Sequence, residues 1–416
     1  MNIKTFKYDK LKNLSYYLIS SLVSMGIGVL INPFLSLGLS HNDFAIIGYY
    51  ASFGSLLTPL IAFSFNQYYA RNYFLVDEIE RKKIMNTLLS LFISFGLLIL
   101  ILFLAGYYYY HNKYVSSISF SPYAILSFLP FYFSCFYNIY LLDLRMQNKA
   151  KKYAIISISN SIIAALLSIL LVYFLRYGAI GRLSSLLVVA SLFGIYSIKT
   201  INFKFIIDKT ITVKALSFCW PLTISGLLSF FFIGIDRTFL ANLNDNHSLG
   251  LYNVAIQITG YLAIFSTVIL QTFDPDLYKY TSLKKHKKVL YIALLIIGIN
   301  LIPNFLFIIL SKPLISLLTY GKYTEAALYA NILCLKNVAT TFAFVMSGIL
   351  IGYGFPKYEL INRMVGAILA FIMYKYFIER WGYLGAAWGQ SISWIAMGLI
   401  STICLIIVKN KGNENA

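Results

Sequence analysis

The chain has 416 residues, of which 59% are hydrophobic and 12% charged, against roughly 45–50% and about 25% in an ordinary soluble domain. With a mean hydropathy of +0.74, that composition excludes a water-soluble enzyme. Lys and Arg number 34 against 15 Asp and Glu, a formal net charge of +19, in a chain with few places outside an apolar interior to put charge.

A membrane helix takes about 20–25 residues. Apolar runs fall at about 14–39, 44–70, 84–110, 120–143, 153–175, 179–198, 215–243, 249–273, 289–310, 324–350, 360–378 and 383–408, which predicts twelve spans and leaves no room for a folded soluble domain. The basic N-terminal stretch is followed by an apolar run longer than the core of a cleaved signal peptide, so it reads as a retained first span. Pro33, Pro59, Pro130, Pro221 and Pro303 lie within spans or at their ends and predict kinked or broken helices. Tyr107 to Tyr110 read as an interfacial aromatic belt. Cys135, Cys219, Cys334 and Cys404 all fall in apolar runs without paired spacing and read as membrane-packed thiols.

Sorting the basic residues by loop separates two sides. One side holds 25 of them, in the two tails and around residues 71–83, 145–152, 199–214, 279–288 and 357–363; the other holds eight, and Lys336 alone remains, near the middle of the tenth span. This asymmetry places both termini in the cytoplasm and assigns most of the net charge to topology and lipid headgroups rather than nucleic acid.

The halves also repeat. Gly48 and Tyr50 match Gly250 and Tyr252, Lys152-Tyr153 matches Lys357-Tyr358, and Gly178-Ala179-Ile180-Gly181 matches Gly382-Tyr383-Leu384-Gly385, at offsets of 202 to 205. Six spans per repeat predict an all-α polytopic membrane protein with two parallel six-helix lobes, residues 1–205 and 206–416, around a central cavity.

Four stretches carry a resemblance. They are Leu144-Arg145 with Lys149, Lys152-Tyr153 and Gly178 to Arg182; Pro221-Leu222 with Ile235-Asp236-Arg237 and Leu249 to Ala255; Gly354 with Lys357-Tyr358 and Asn362; and Tyr383 to Gly389. In this order and spacing the chain resembles the bacterial flippases of O-antigen and capsule repeat units, in the multidrug/oligosaccharidyl-lipid/polysaccharide exporter superfamily. The resemblance implies translocation of undecaprenyl-diphosphate-linked oligosaccharide between leaflets of the bacterial inner membrane by alternating access. It also implies membrane lipids, a polysaccharide polymerase and a chain-length regulator as partners.

The residues supply candidates for that task. A lysine at mid-membrane costs about 2.5–3.5 kcal/mol on the insertion scale unless it faces water or a partner. Lys336 is expected to line the cavity and attract a diphosphate or acidic sugar, with Thr340, Asn337 and Thr341 forming a polar side of the same helix; an interhelical salt bridge is the other reading. Asp236 and Arg237 are adjacent and point about 100° apart, so they cannot pair squarely. Arg237 is read as a forked phosphate donor and Asp236 as a group holding the lobes together, or both as a structural interlobe pair. Arg182 falls at the cavity mouth or serves as an interfacial anchor. Asp143, Arg145, Lys149, Lys151 and Lys152 form a cytoplasmic cluster of topology signals, in which Arg145 and Lys152 are candidates for closing a gate.

No P-loop spacing is present, and His41, His111, His247 and His286 are scattered over loops and span ends, so neither ATP, a metal nor another cofactor is expected. A cation-coupled drug antiporter on the same fold would need intramembrane carboxylates, which are few here. A membrane polysaccharide polymerase or acyltransferase would need a large external loop or an acid/base constellation, and the external loops are short. The lipid II flippase branch typically carries two extra spans, for which this chain has no length.

Overall fold

The computed structural model describes residues 3–73, 75–114, 118–353 and 356–414, and its regular elements are all helical. Among the described residues, eleven stretches are long and apolar enough to cross a membrane, the last of them, Tyr358–Ile407, 50 residues long. That stretch is broken at Gly382, whose φ of 55° and ψ of −129° leave the helical region, so it forms two spans and the expected twelve are reached. Leu98, Ile101, Leu102, Leu301, Ile302 and Phe305 are among many apolar side chains left exposed, as lipid-facing surfaces require. By packing, the chain forms two compact units, Met1–Leu227 and Leu228–Ala416. Gly354, used by the resemblance, lies outside the described residues.

The first unit comprises α1 (Ile3–Gly38), α2 (His41–Ser52), α3 (Gly54–Ala62), α4 (Phe65–Asn72), α5 (Glu78–Leu91), α6 (Leu97–Tyr114), α7 (Tyr123–Met146), α8 (Ala150–Ser168), α9 (Gly178–Thr200) and most of α10 (Lys209–Leu228). Here α7 is central, touching α2, α3, α4, α6, α8 and α9, while α1 lies along α8. The second span ends its α3 segment four residues after Pro59, where Phe63 and Ser64 take left-handed φ values of 43° and 53°. The Ser64 carbonyl released by this break accepts the Cys219 thiol of α10 at 3.4 Å.

An aromatic core holds the non-basic end of this unit. Tyr49 and Tyr50 are fully buried, Tyr50 Oη donates to the Ser119 carbonyl at 2.7 Å, and Tyr107 Oη donates to Tyr49 Oη at 3.1 Å. Tyr107 therefore belongs to the core, packed on Phe53 and Phe128, rather than to an interfacial belt. Only Tyr108 and Tyr109 of that run are exposed, because successive helical residues point about 100° apart. Asp43 closes a capping box with Ser40 at the start of α2, and its Oδ1 also accepts the Ala179 N–H at the start of α9, 2.8 Å away. One carboxylate thus serves two helix N-termini.

The second unit comprises α11 (Phe230–Ile233), α12 (Ile235–Ala241), α13 (Asn246–Ser282), α14 (His286–Thr319), α15 (Ala327–Gly352) and α16 (Pro356–Glu414). Its centre is α15, packed on α13, α14 and α16. Ile269, Leu277, Val289, Ile292, Ile296, Val345 and Ile349 form an apolar cluster across α13, α14 and α15. Beside it runs a ladder of buried amides. Asn300 donates to Ser266 Oγ at 2.5 Å, Asn304 to the Asn300 carbonyl at 2.9 Å, and Asn337 to the Thr259 carbonyl at 3.0 Å. Asn337 is therefore interhelical glue, while Thr341 spends its hydroxyl on the Asn337 carbonyl of its own helix at 3.1 Å; both are buried, to 2% and 1% exposure, and do not extend a hydrophilic side of α15 around Lys336.

The repeat has a structural counterpart. Gly178 and Gly382 both take left-handed φ, 54° and 55°, and three residues later Gly181 and Gly385 each lie against a carbonyl of the preceding span, Leu171 and Phe377. The same glycine-closed helix hairpin thus joins spans five to six and eleven to twelve. Gly385→Ala should destabilise the protein by about 1–3 kcal/mol, as overpacking does, because the new methyl overlaps the Phe377 carbonyl. Gly298→Ala, with open space around its Cα, should be neutral or stabilising by up to about 1 kcal/mol. Thermal unfolding of the two purified variants measures this, and equal melting would contradict the close crossing.

Candidate functional site

The seventh span is not one helix. After α10 it breaks at Ser229 and again at Gly234, whose φ of −125° and ψ of −32° interrupt the helix, so carbonyls at the break need partners in an apolar setting. Tyr374 Oη donates to the Phe232 carbonyl at 3.1 Å, and Arg237 Nη1 donates to the Ile233 carbonyl at 2.5 Å. The charged pair sits at the opening of α12, directly after this break.

Asp236 has no exposed surface. Its Oδ2 accepts Tyr252 Oη at 2.6 Å and Gln390 Nε2 at 2.8 Å, while Arg237 Nη1 stands 3.5 Å from Oδ1. Arg237 Nε donates to Asn253 Oδ1 at 3.0 Å. Two of the three guanidinium nitrogens are therefore committed inside the protein, and with 7% exposure the side chain acts as a brace rather than as an open fork. The named partners of Asp236 all belong to its own unit, so this carboxylate ties α12 to α13 and α16.

Lys336 completes the group. It stands nine residues beyond the start of α15, roughly 14 Å along the axis at 1.5 Å per residue, and is half-buried. It lies within electrostatic reach of Arg237 and Asp236, yet its ammonium enters no ion pair among the described residues. Thr340 spends its hydroxyl on the Lys336 carbonyl at 2.8 Å. Asp236, Arg237 and Lys336 together carry a formal +1. The arrangement can therefore receive an anion at Lys336, whereas the Asp236 carboxylate is already occupied.

The other sequence candidates lie in the first unit. Arg182 Nη1 donates to Ser168 Oγ at 2.5 Å, joining α9 to α8. Arg145 is exposed in the last turn of α7 with its guanidinium 5.7 Å from the Tyr153 ring centroid. Asp143 accepts Tyr69 Oη and Gln147 Nε2, both at 2.6 Å. Lys152 lies over the Tyr140 ring at 5.8 Å. Asp143, Lys149 and Lys152 line one cavity of about 870 Å³, which Arg145 does not reach.

Sequence reading passed over Tyr252, Asn253, Tyr374 and Gln390. Each is a polar group in an apolar run, and Tyr252 and Asn253 fall inside the Leu249 to Ala255 motif; that polarity was the available signal. Among the described residues no group of three or more His, Cys, Asp or Glu is placed to hold a metal. Asp236→Asn would leave two cations with no carboxylate beside them, so it should destabilise the protein by about 3–5 kcal/mol, the cost of breaking a buried pair. Lys336→Gln should not destabilise. Melting curves of both variants in detergent test this, and unchanged melting of Asp236→Asn would refute the neutralising role.

Comparison with known proteins places this geometry in context. Residues 10–275 match the polysaccharide biosynthesis protein family. An uncharacterized membrane protein of Haemophilus influenzae is 27% identical over 278 residues, and the match spans 65% of this chain and 65% of the relative's length. The Lsg locus putative protein 1 of the same organism is 23% identical over 373 residues, covering 86% of this chain and 88% of the relative. Among solved structures, the lipid II flippase MurJ in an inward closed conformation aligns with a TM-score of 0.75 at 17% identity, over 94% of this chain and 87% of that one. An inward-facing multidrug resistance MATE family transporter of the MOP superfamily aligns at 0.69 and 15%, over 93% and 96%. Identities this low speak for the fold alone, an all-helical membrane fold like that of these two proteins. With the family match covering well over half of its length, the chain belongs to the polysaccharide biosynthesis protein family.

Proposed function

We propose that the protein is a flippase that moves undecaprenyl-diphosphate-linked oligosaccharide repeat units from the inner to the outer leaflet of the bacterial inner membrane, for O-antigen, lipopolysaccharide or capsule assembly. Family membership and the flippase-like fold support the reading. The observation that carries it is the Lys336 ammonium, set inside a span with no ion-pair partner among the described residues and within electrostatic reach of a carboxylate that is already satisfied. A diphosphate and glycan must pass about 30 Å of hydrocarbon, and an unpaired cation on the path lowers that cost. The polyprenyl chain stays in lipid, and rocking of the two repeats gives alternating access. The loop asymmetry of basic residues favours cytoplasmic termini, and a polysaccharide polymerase and chain-length regulator are the expected partners downstream.

The geometry argues against a cation-coupled drug antiporter. Asp236 would have to give up Tyr252, Gln390 and Arg237 before taking a proton or a cationic drug. Deletion of the gene should abolish surface polysaccharide and leave lipid-linked repeat units facing the cytoplasm. Complementation with Lys336→Gln should restore export at a tenth of the wild-type rate or less, since a hydrogen bond to a charged group is worth about 1.5–3 kcal/mol and about 1.4 kcal/mol is tenfold. Lys336→Arg should retain most of it. Normal glycan display after deletion, in a strain without a redundant transporter, would overturn the flippase reading. Full export by Lys336→Gln would remove the lysine from it.

A further inference from the structure

The cavity of about 870 Å³ in the first unit shares no lining residue with the Asp236 group and has its own chemistry. Its walls come from the ends of four spans: Tyr69 and Tyr73 near the end of α4, Glu78 to Asn86 on α5, Tyr140 to Gln147 at the end of α7, and Lys149 and Lys152 at the start of α8. The segment after α9 closes the remaining side. The Lys204 N–H donates to Asn86 Oδ1 at 3.2 Å and the Ile206 N–H to Ser90 Oγ at 3.0 Å, laying this connection along α5. Asp208 then pairs with Lys83 at 2.6 Å. That hydrogen bond, followed by the Ile211 N–H, holds the Asp208 carboxyl below its usual range.

Six cations and two carboxylates line the space. Of the cations, Lys82 is paired with Glu78 at 2.7 Å and Lys83 with Asp208. Asp143 is taken up by Tyr69 and Gln147. Arg81, Lys149, Lys152 and Lys204 thus face one concavity with no carboxylate partner among the described residues. Two of them rest on aromatic rings, Arg81 over Tyr73 at 4.1 Å and Lys152 over Tyr140 at 5.8 Å, and the buried Arg81 Nε has no hydrogen-bond acceptor among the described residues. Topology alone asks only that cations stand on one side; it does not ask that four converge with an unsatisfied guanidinium donor. Ile79 of the lining is exposed to 81%, and Phe205 and Ile207, next in sequence to the lining residues Lys204 and Ile206, are exposed to 61% and 50%, so apolar surface adjoins the charge.

We infer that this cavity binds the phosphate-bearing headgroup of a lipid, with Arg81, Lys149, Lys152 and Lys204 around the phosphate and the apolar rim against the first methylenes of the chain. Its size falls in the roughly 300–1,000 Å³ range of small-molecule sites, and guanidinium with ammonium groups is the donor set that phosphate oxygens select. The inference does not depend on the transport reading, because an anionic glycerophospholipid and a polyprenyl diphosphate present the same chemistry.

Native mass spectrometry of the detergent-purified full chain distinguishes the sources. Dioleoyl phosphatidylglycerol, undecaprenyl diphosphate and dioleoyl phosphatidylcholine are offered separately to wild type, to the triple variant Arg81→Gln/Lys149→Gln/Lys152→Gln, and to Lys312→Gln, a second-unit lysine outside the cavity lining, as a control. Wild type should retain at least one of the two anionic lipids tenfold more than phosphatidylcholine. The triple variant should lose at least four fifths of that adduct, and Lys312→Gln none. Retention of phosphatidylglycerol alone identifies a resident phospholipid, and preference for undecaprenyl diphosphate identifies the polyprenyl carrier. Equal retention of all three lipids, or no loss in the triple variant, would overturn the site. Should the triple variant fail to fold, inorganic pyrophosphate must still displace the adduct from wild type, and failure to do so would refute the inference equally.

Discussion

A carboxylate with no exposed surface in an apolar helix must be neutralised where it stands, and Asp236 shows how much structure that requirement commands. Its two oxygens draw in a phenol from α13 and an amide from α16, and its neighbour Arg237 is turned back by Asn253 and by the Ile233 carbonyl. The helix break at Gly234 belongs to the same solution. An unbroken seventh span would keep the Ile233 carbonyl in its own ladder and leave the guanidinium short of an acceptor. Charge, helix break and interhelical contacts are thus one arrangement, built from side chains up to 154 residues apart in sequence.

The same economy recurs wherever the backbone departs from a straight helix. The left-handed Phe63 and Ser64 release a carbonyl that the Cys219 thiol satisfies. Asp43 meets the N-termini of both α2 and α9. In hydrocarbon each unsatisfied polar group costs several kcal/mol, so a break is tolerated only where a donor or acceptor from another segment is already at hand. This explains why the third and fifth spans bend through single π turns, Phe92–Gly96 and Ile169–Phe174, which shift the hydrogen-bond register without abandoning it.

What was legible in the sequence follows from the same physics. Span number and span edges could be read because lipid demands long apolar runs, and the glycine hairpins could be read because only glycine allows both the left-handed turn and the close crossing. Which face of a span meets lipid, protein or water could not be read. Tyr107 turned inward while Tyr108 and Tyr109 did not, and Asn337 served a neighbouring carbonyl instead of standing beside Lys336. The charged members of the site stood out by their cost. Tyr252, Tyr374 and Gln390 did not, because a lone hydroxyl or amide is common in a membrane helix and its partner lies on another helix, 16 residues away for Tyr252 and more than a hundred for Tyr374 and Gln390.

The fold is shared with transporters of different cargo, and fold alone does not assign the chemistry. The charge pattern inside the second unit does discriminate. A site for cations offers carboxylate oxygens that a ligand can reach, and here the carboxylate is closed off by three donors while the one loosely held charge is an ammonium. Reversing that preference would require more than opening Asp236, since Arg237 and Lys336 would still oppose any arriving cation. The way the unit holds its charges fits the proposed anionic cargo: the negative one is spent internally on holding helices together, and the surplus positive one has no ion-pair partner among the described residues.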